Sequence, residues 1–169
     1  MIVVCDTGPL THLWQIGLWP AFAVFDKIHL PVQVVDEVQP HVDLDQLQNF
    51  TRLQIHTVSP TQVGTVRRAQ PQDTHLQITD LAVLALAQTL THDLVLTDDL
   101  DLRRALEGQH LRPMGSIGVL VSAYKTSLIE WDQLDQAIEK LFTQSTLYLS
   151  PQFKSYVRHL IDAQLDEPV

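Results

Sequence analysis

One cysteine, Cys5, is all that a chain of 169 residues contains, which excludes a disulfide framework and suits a reducing cytosol. No stretch approaches the roughly 20 apolar residues of a membrane span. Residues 1–5 carry neither a basic leader nor a small-residue cleavage site, so no secretory signal is visible and a cytoplasmic location is expected. Basic residues are scarce as well: 11 against 20 acidic ones leave a net charge of −9. That deficit works against broad, sequence-independent binding of duplex nucleic acid, which depends on neutralising many phosphates. It leaves open a nuclease whose acidic site is neutralised by a metal and flanked by a few arginines, and equally a basic protein partner. The eight histidines show no HExxH-type spacing, and most read as surface or loop residues. With neither internal repeats nor an obvious linker, and with 45 % apolar and 18 % charged residues, the chain reads as one folded domain, residues 1–169.

What is present is organised around MIVVCDTGPL at residues 1–10. Ile2 to Cys5 form a short apolar run without alternation, which suits a strand buried on both faces in the middle of a parallel sheet. Asp6 follows at its carboxyl end, where Gly8 and Pro9 are expected to stop the strand and turn the chain. Ligands of open α/β sheets gather outside the carboxyl ends of the strands. The alternative is that Asp6 only caps the turn or the next helix through its side chain.

Strand and helix patterns then alternate. Residues 9–22 read as one or two short helices, Lys27–Leu30 as a strand, and Pro31 as the first residue of a helix carrying Asp36 and Glu37. Residues 43–52 look like an amphipathic helix through Leu44, Leu47 and Phe50. Residues 53–59 alternate as a strand, 61–70 form a helix with Arg67 and Arg68, and 71–77 are a loop. ITDLAVLALAQTL at 78–90 is apolar almost all round, a helix buried against a sheet, with Thr79 as its expected cap. DLVLT at 93–97 is a second buried strand, ending in the acidic turn Asp98-Asp99-Leu100-Asp101. A helix at 102–107 with Arg103 and Arg104, a short strand in 110–115, and a helix capped by Ser116 come next. Amphipathic helices at 131–143 and 150–164 close the chain, the second opening at Ser150-Pro151. The alternation points to α/β with a mostly parallel sheet.

Asp6, Asp98, Asp99 and Asp101 lie past the ends of two buried strands that parallel pairing would bring to one sheet edge. Asp80, in the first turn of the buried helix, and Glu37 are placed to point the same way. Carboxylates within about 4–6 Å of one another repel and protonate unless a cation is bound. An all-oxygen donor set suits Mg²⁺ or Mn²⁺. Taken singly, Asp80 gains from the helix dipole, Asp98 suits an N-cap, and Glu37 fits a solvated helix face.

The ordered series resembles the PIN-domain family of metal-dependent ribonucleases. The matching stretches are DTGPL, then PVQVVDEV with Glu37, ITDLAVLALA with Asp80, and LVLTDDLDLRRAL with Asp99 and Asp101. GSIGVLVSAYKTSLI and LYLSPQFKSYVRHLIDA look like the uncharacterised branch described as PIN-containing predicted nucleic-acid-binding proteins. That branch often carries a Gly-Glu acidic pair before its central helix, where this chain reads Ile78-Thr79-Asp80 with one acidic residue.

The resemblance implies a PIN-like three-layer α/β fold with a central, mostly parallel sheet flanked by helices, plus a C-terminal helical extension at about 130–165. It implies an acidic Mg²⁺ or Mn²⁺ site of Asp6, Glu37, Asp80 and Asp99, with Asp101 at the last acidic position and Asp98 as an alternative ligand one residue away. The implied activity is hydrolysis of RNA phosphodiesters, leaving a 5′ phosphate and a 3′ hydroxyl. Thr7 and Thr97 are candidates to hydrogen-bond a carboxylate, the metal water or a phosphate, and Arg67, Arg68, Arg103, Arg104 and Lys125 to hold single-stranded RNA. Resemblance to toxin-type PIN domains suggests an antitoxin protein as partner, and the apolar faces of the terminal helices suit a homodimer. The chain would then serve either as the toxin nuclease of a toxin–antitoxin pair or as a partner-binding module with weak or lost cleavage. Two other readings rank lower. Asp6-Thr7-Gly8 as the turn of a retroviral-type aspartic protease requires an all-β fold. A phosphoryl-transfer receiver or phosphatase domain wants a late strand-end lysine where only Arg112 stands.

Overall fold

The computed structural model describes residues 1–71, 74–147, 150, 152–157 and 159. Five strands form one all-parallel sheet: β1 (Ile2–Cys5), β2 (Lys27–Pro31), β3 (Arg52–His56), β4 (Leu94–Leu96) and β5 (Pro113–Met114), in the order β3-β2-β1-β4-β5. The unalternating run in β1 takes the central place, with Val3, Val4 and Cys5 fully buried. β2 lies along one side in register Val4 to His29, and β4 along the other in register Val4 to Val95. From β1 the chain winds outward through β2 and β3, then returns across the sheet to β4 and β5. The winding direction therefore reverses between β1 and β4, and a crevice opens at the carboxyl ends of two such strands. An all-parallel sheet is incompatible with the all-β protease reading.

Among the described residues the α-helices are α1 (Thr7–Gln15), α2 (Val32–Val38), α3 (Leu44–Leu47), α4 (Pro60–Ala69), α5 (Ile78–Thr89), α6 (Leu100–Glu107), α7 (Ser116–Lys125) and α8 (Trp131–Thr143), with a further helical stretch near the C-terminus. They flank the sheet to give a three-layer α/β fold. α5 lies against β1 and β2 with α4 beside it; α1, α7, α8 and a 3-10 stretch at Trp19–Val24 pack with one another. The near-uniform apolar character of α5 is explained by burial of every residue from Leu81 to Ala87. Residues 152–157 are helical and are fastened to α8 by the Lys154–Glu139 ion pair (2.8 Å). Among the described residues, no helix is long and apolar enough to cross a membrane.

Several local expectations are corrected. Gly8 and Pro9 do not turn the chain; they sit in the first turn of α1, where proline's missing N–H costs nothing. Pro31 ends β2 and caps α2 instead of opening it. The helix expected over 43–52 stops at Leu47, because Leu47 is buried while Phe50 turns outward and β3 begins at Arg52. β3 itself ends at His56, short of the 53–59 expected. Gln77 caps α5, not Thr79, and Gly115 caps α7, not Ser116. His29 is an exception to the mostly surface or loop histidines: it is buried and meets His56 ring to ring (Nδ1 to Nε2, 2.7 Å). Gln72 and Asp73 of the 71–77 loop, and Pro151 with most of the expected 150–164 helix, lie outside the described residues; Ser150 does accept the Phe153 N–H as a cap would (3.2 Å).

Leu84, fully buried in α5, is the residue on which to test this packing. Leu84→Ala should cost about 2–5 kcal/mol in urea unfolding. Ile78→Ala, at a position 62 % exposed in the same helix, should stay within about 0.5 kcal/mol of wild type.

Candidate active site

Asp6 stands where β1 passes directly into α1. It occupies the N-cap position, yet its side chain makes no cap hydrogen bond. The carboxylate, only 4 % exposed, turns instead toward β4, where the Thr97 hydroxyl donates to Oδ2 at 3.0 Å. The same Thr97 oxygen accepts the Asp99 backbone N–H at 3.1 Å. Thr97 is fully buried, so it supports carboxylates and cannot touch substrate, which corrects its place among the substrate-binding candidates.

Three more carboxylates reach the same cleft from separate elements. Asp80 closes the capping box of α5, its Oδ2 accepting the Gln77 N–H at 2.6 Å. Asp99 caps α6 through the Leu102 N–H (2.7 Å). Glu37, exposed near the end of α2, accepts from the Thr7 hydroxyl (3.1 Å). Together with Thr7, Gly8 and His12 they line a cleft of about 360 Å³. No lysine or arginine lines it among the described residues. A larger hollow, about 710 Å³, runs along the α2–α3 connection and β3, away from these side chains.

Burial, and after it the charge of Asp80, pushes the Asp6 carboxyl up to about 7. Burial also raises Asp80 to about 6, with the like charges of Asp99, Glu37 and Asp101 adding to it against the lowering Gln77 N–H bond. The cleft is therefore a place where negative charge is held against its own repulsion. Among the described residues no three carboxylate, imidazole or thiol groups stand close enough to form a ready-made metal cage. Mg²⁺ does not require one, since it keeps several waters and takes one or two carboxylates. In donor chemistry the all-oxygen set of Asp6, Asp80, Asp99 and Glu37 fits such an ion.

Asp98 is held differently from its neighbour. Its Oδ1 accepts the Ser116 N–H (2.7 Å), and its Oδ2 meets both the Ser116 hydroxyl (2.5 Å) and His12 Nδ1 (2.7 Å). It thus ties the last turn of α1 and the start of α7 to the β4–α6 turn. Of the two candidates in that turn, Asp99 is the N-cap. Close approach explains two glycines: a Cβ on Gly115 would lie 2.8 Å from Asp98 Oδ1, and one on Gly8 3.3 Å from Asp98 Cβ. Asp101 pairs with Arg104 (3.3 Å) outside the cleft lining. Arg67 and Arg68 lie in the last turn of α4 and do not line the cleft either, and Lys125 is exposed at the end of α7. Arg103 donates to the Thr97 carbonyl (3.4 Å). The Asp98–His12 and Asp98–Ser116 contacts were not legible in the sequence. Their only trace is that Gly115-Ser116 follows a strand expected beside β4.

A family model described as a PIN domain matches residues 2–163. No curated protein and no solved structure matches the chain.

The raised Asp6 carboxyl has a defined effect on stability. Unfolded, it titrates near 3.8; folded, near 7. Between those values the folded state holds a proton that the unfolded state has lost, so this group lowers stability as pH rises through the window. In EDTA, Asp6→Asn should therefore gain melting temperature over wild type on going from about pH 5 to about pH 8. The gain should be roughly 5–10 °C, since the window from pH 5 to the folded value spans about two units, each unit is about 1.4 kcal/mol and each kcal/mol is worth about 2–4 °C in a domain of this size. A difference that stays flat with pH would contradict the assignment.

Proposed function

Because the chain belongs to the PIN-domain family, whose members are generally nucleases using divalent metals, we propose that it is a cytoplasmic, metal-dependent endoribonuclease acting on single-stranded RNA. The observation that carries this reading is the meeting of Asp6, Glu37, Asp80 and Asp99, from four separate elements, in one cleft at the reversal of the sheet. Asp6, Asp80 and Asp99 would hold Mg²⁺ or Mn²⁺, with Glu37 beside them. A divalent ion supplies charge neutralisation at the phosphate and an acidified water.

The chain's own residues prepare the place. Thr97 fixes the Asp6 carboxylate through Oδ2 and steadies the Asp99 backbone. Gln77 and Leu102 each occupy one oxygen of Asp80 and Asp99 and leave the other directed elsewhere. Thr7 holds Glu37, a solvent-exposed member of the set, where its carboxylate can orient the attacking water and take its proton. Water adds to phosphorus, the bond to the 3′ oxygen breaks, and that oxygen takes a proton from solvent to leave as the 3′ hydroxyl.

A second reading rests on the same cleft: lined by carboxylates and by no lysine or arginine among the described residues, it suits a basic side chain of an antitoxin-type partner. In that reading the chain is the toxin, or the partner-binding half, of a toxin–antitoxin pair. A homodimer is compatible with either.

Incubation of mixed single-stranded RNA with Mn²⁺ or Mg²⁺ separates the two. Wild type should cleave, EDTA should stop it, and Asp6→Asn should lose at least about 100-fold in rate, as expected when a group central to charge stabilisation is removed. Full activity in Asp6→Asn overturns the site. No cleavage by folded wild type, across metals and RNAs, leaves the partner-binding reading.

A further inference from the structure

The acidic cleft opens into a second groove, of about 660 Å³ and mostly apolar, with which it shares Asp98, Leu100 and Leu147. The outer wall of that groove is the helical stretch 152–157. Phe153, Tyr156 and Val157 stand at i, i+3 and i+4 and so share one face. Val157 is buried and anchors the wall, while Phe153 and Tyr156 are 41 % and 57 % exposed. Lys154, in the same stretch, pairs with Glu139 and lies 5.2 Å over the Phe142 ring, so the wall is tied to α8 independently of the two exposed rings. Leu100, 56 % exposed, stands where the groove meets the cleft. Arg103 lines the groove as well; it makes its one hydrogen bond to the Thr97 carbonyl and no ion pair among the described residues.

We infer that this groove binds a nucleobase of single-stranded RNA flanking the phosphate held at the carboxylates, with Phe153 and Tyr156 as its stacking platform and Arg103 as its phosphate contact. The assignment rests on the ribonuclease reading. A strand whose phosphate lies in the cleft must leave it, and the groove is continuous with the cleft. Charge points the same way: the cleft lacks basic lining among the described residues, whereas the groove supplies a guanidinium free to meet the next phosphate. A net charge of −9 works against holding RNA by phosphate contacts alone. Stacking on aromatic faces supplies affinity that does not depend on charge and tolerates any base. The two rings touch each other, with centroids 6.3 Å apart at 39°, so a base stacks against the pair and not between them.

The test compares a fluorescein-labelled single-stranded oligoribonucleotide with an abasic strand of equal length, by anisotropy in EDTA so that nothing is cleaved. Wild type should prefer the base-bearing strand by about tenfold or more. The double variant Phe153→Ala, Tyr156→Ala should bring that ratio close to one. The ring-conserving exchange Phe153→Tyr, Tyr156→Phe should keep it, which separates stacking from a loss of fold. Arg103→Gln should weaken both strands alike. A ratio near one in wild type, or a ratio unchanged by the double alanine variant, overturns the inference. Altered sedimentation in the double variant with an unchanged ratio overturns it in favour of a protein contact. Cleavage with Mn²⁺ is scored separately: cleavage without base preference fells the groove and spares the nuclease, whereas base preference without cleavage does the reverse.

Discussion

The hydroxyl of Thr97 is bonded twice, to the carboxylate that ends β1 and to the backbone that starts α6. Its own backbone N–H meets the Met114 carbonyl of β5, and its carbonyl accepts from Arg103. One fully buried residue thus joins three parallel strand ends at the point where the sheet reverses. A parallel sheet leaves its carboxyl edge ragged, with each strand running into a different loop. Without a crosslink of this kind, Asp6 would be a buried charge with one fewer partner and Asp99 would hang from an unsupported turn. Removing a partner from a buried charged group costs more than the bond itself contributes, because desolvation is then uncompensated.

A second constraint follows from collecting carboxylates at that edge. Each also holds the structure together: Asp80 and Asp99 cap helices, Asp98 ties the last turn of α1 to the start of α7, and Glu37 meets Thr7. These structural bonds do not compete with chemistry. A carboxylate offers two oxygens and about four lone-pair sites, and a cap uses one of them. Helix N-termini also favour negative charge nearby, so placing Asp80 in the first turn of α5 and Asp99 at the N-cap of α6 offsets part of their mutual repulsion. What remains unrelieved is visible in the raised Asp6 and Asp80. An assembly stabilised locally but repelled globally is a site that gains from a cation.

Apolar runs carried most of the fold into view. β1, β4 and α5 are legible because residues buried on every side leave no alternation, and burial is what their neighbours impose. The same logic put Asp6, Asp80 and Asp99 near one edge before any geometry was known. The misreadings concern ends of elements, where one hydrogen bond decides. Ser116 has the chemistry of a cap, but Asp98 recruits its hydroxyl across the sheet, so Gly115 takes the position. Thr79 likewise cedes to Gln77, which forms a reciprocal box with Asp80. Gly8 and Pro9 look like a turn because both are common in turns; here they suit a helix start, where glycine lets the β4–α6 turn come close. The histidine that lines the cleft was hidden among eight, since only tertiary contact with Asp98 distinguishes it from the rest.

If the chain acts on RNA as proposed, an acidic protein meets an acidic polymer, and affinity and chemistry must come from different places. Carboxylates gathered for chemistry repel the substrate until a cation intervenes, and the lining adjacent to them cannot be made basic without neutralising the set. The arginines obey this separation: Arg104 is spent on Asp101, Arg67 and Arg68 stand away on α4, and Arg103 faces the groove behind Asp98. Under the proposed reading, apolar and aromatic surface placed beside the carboxylates would bind bases without disturbing the field in the cleft. The division also makes attraction weakly dependent on salt, in contrast to proteins that track nucleic acid by counting phosphates. Binding by stacking is short-ranged and selects unpaired bases, because paired ones hide their faces in the helix. A preference for single strands would then arise from the groove, and the reaction from the cleft.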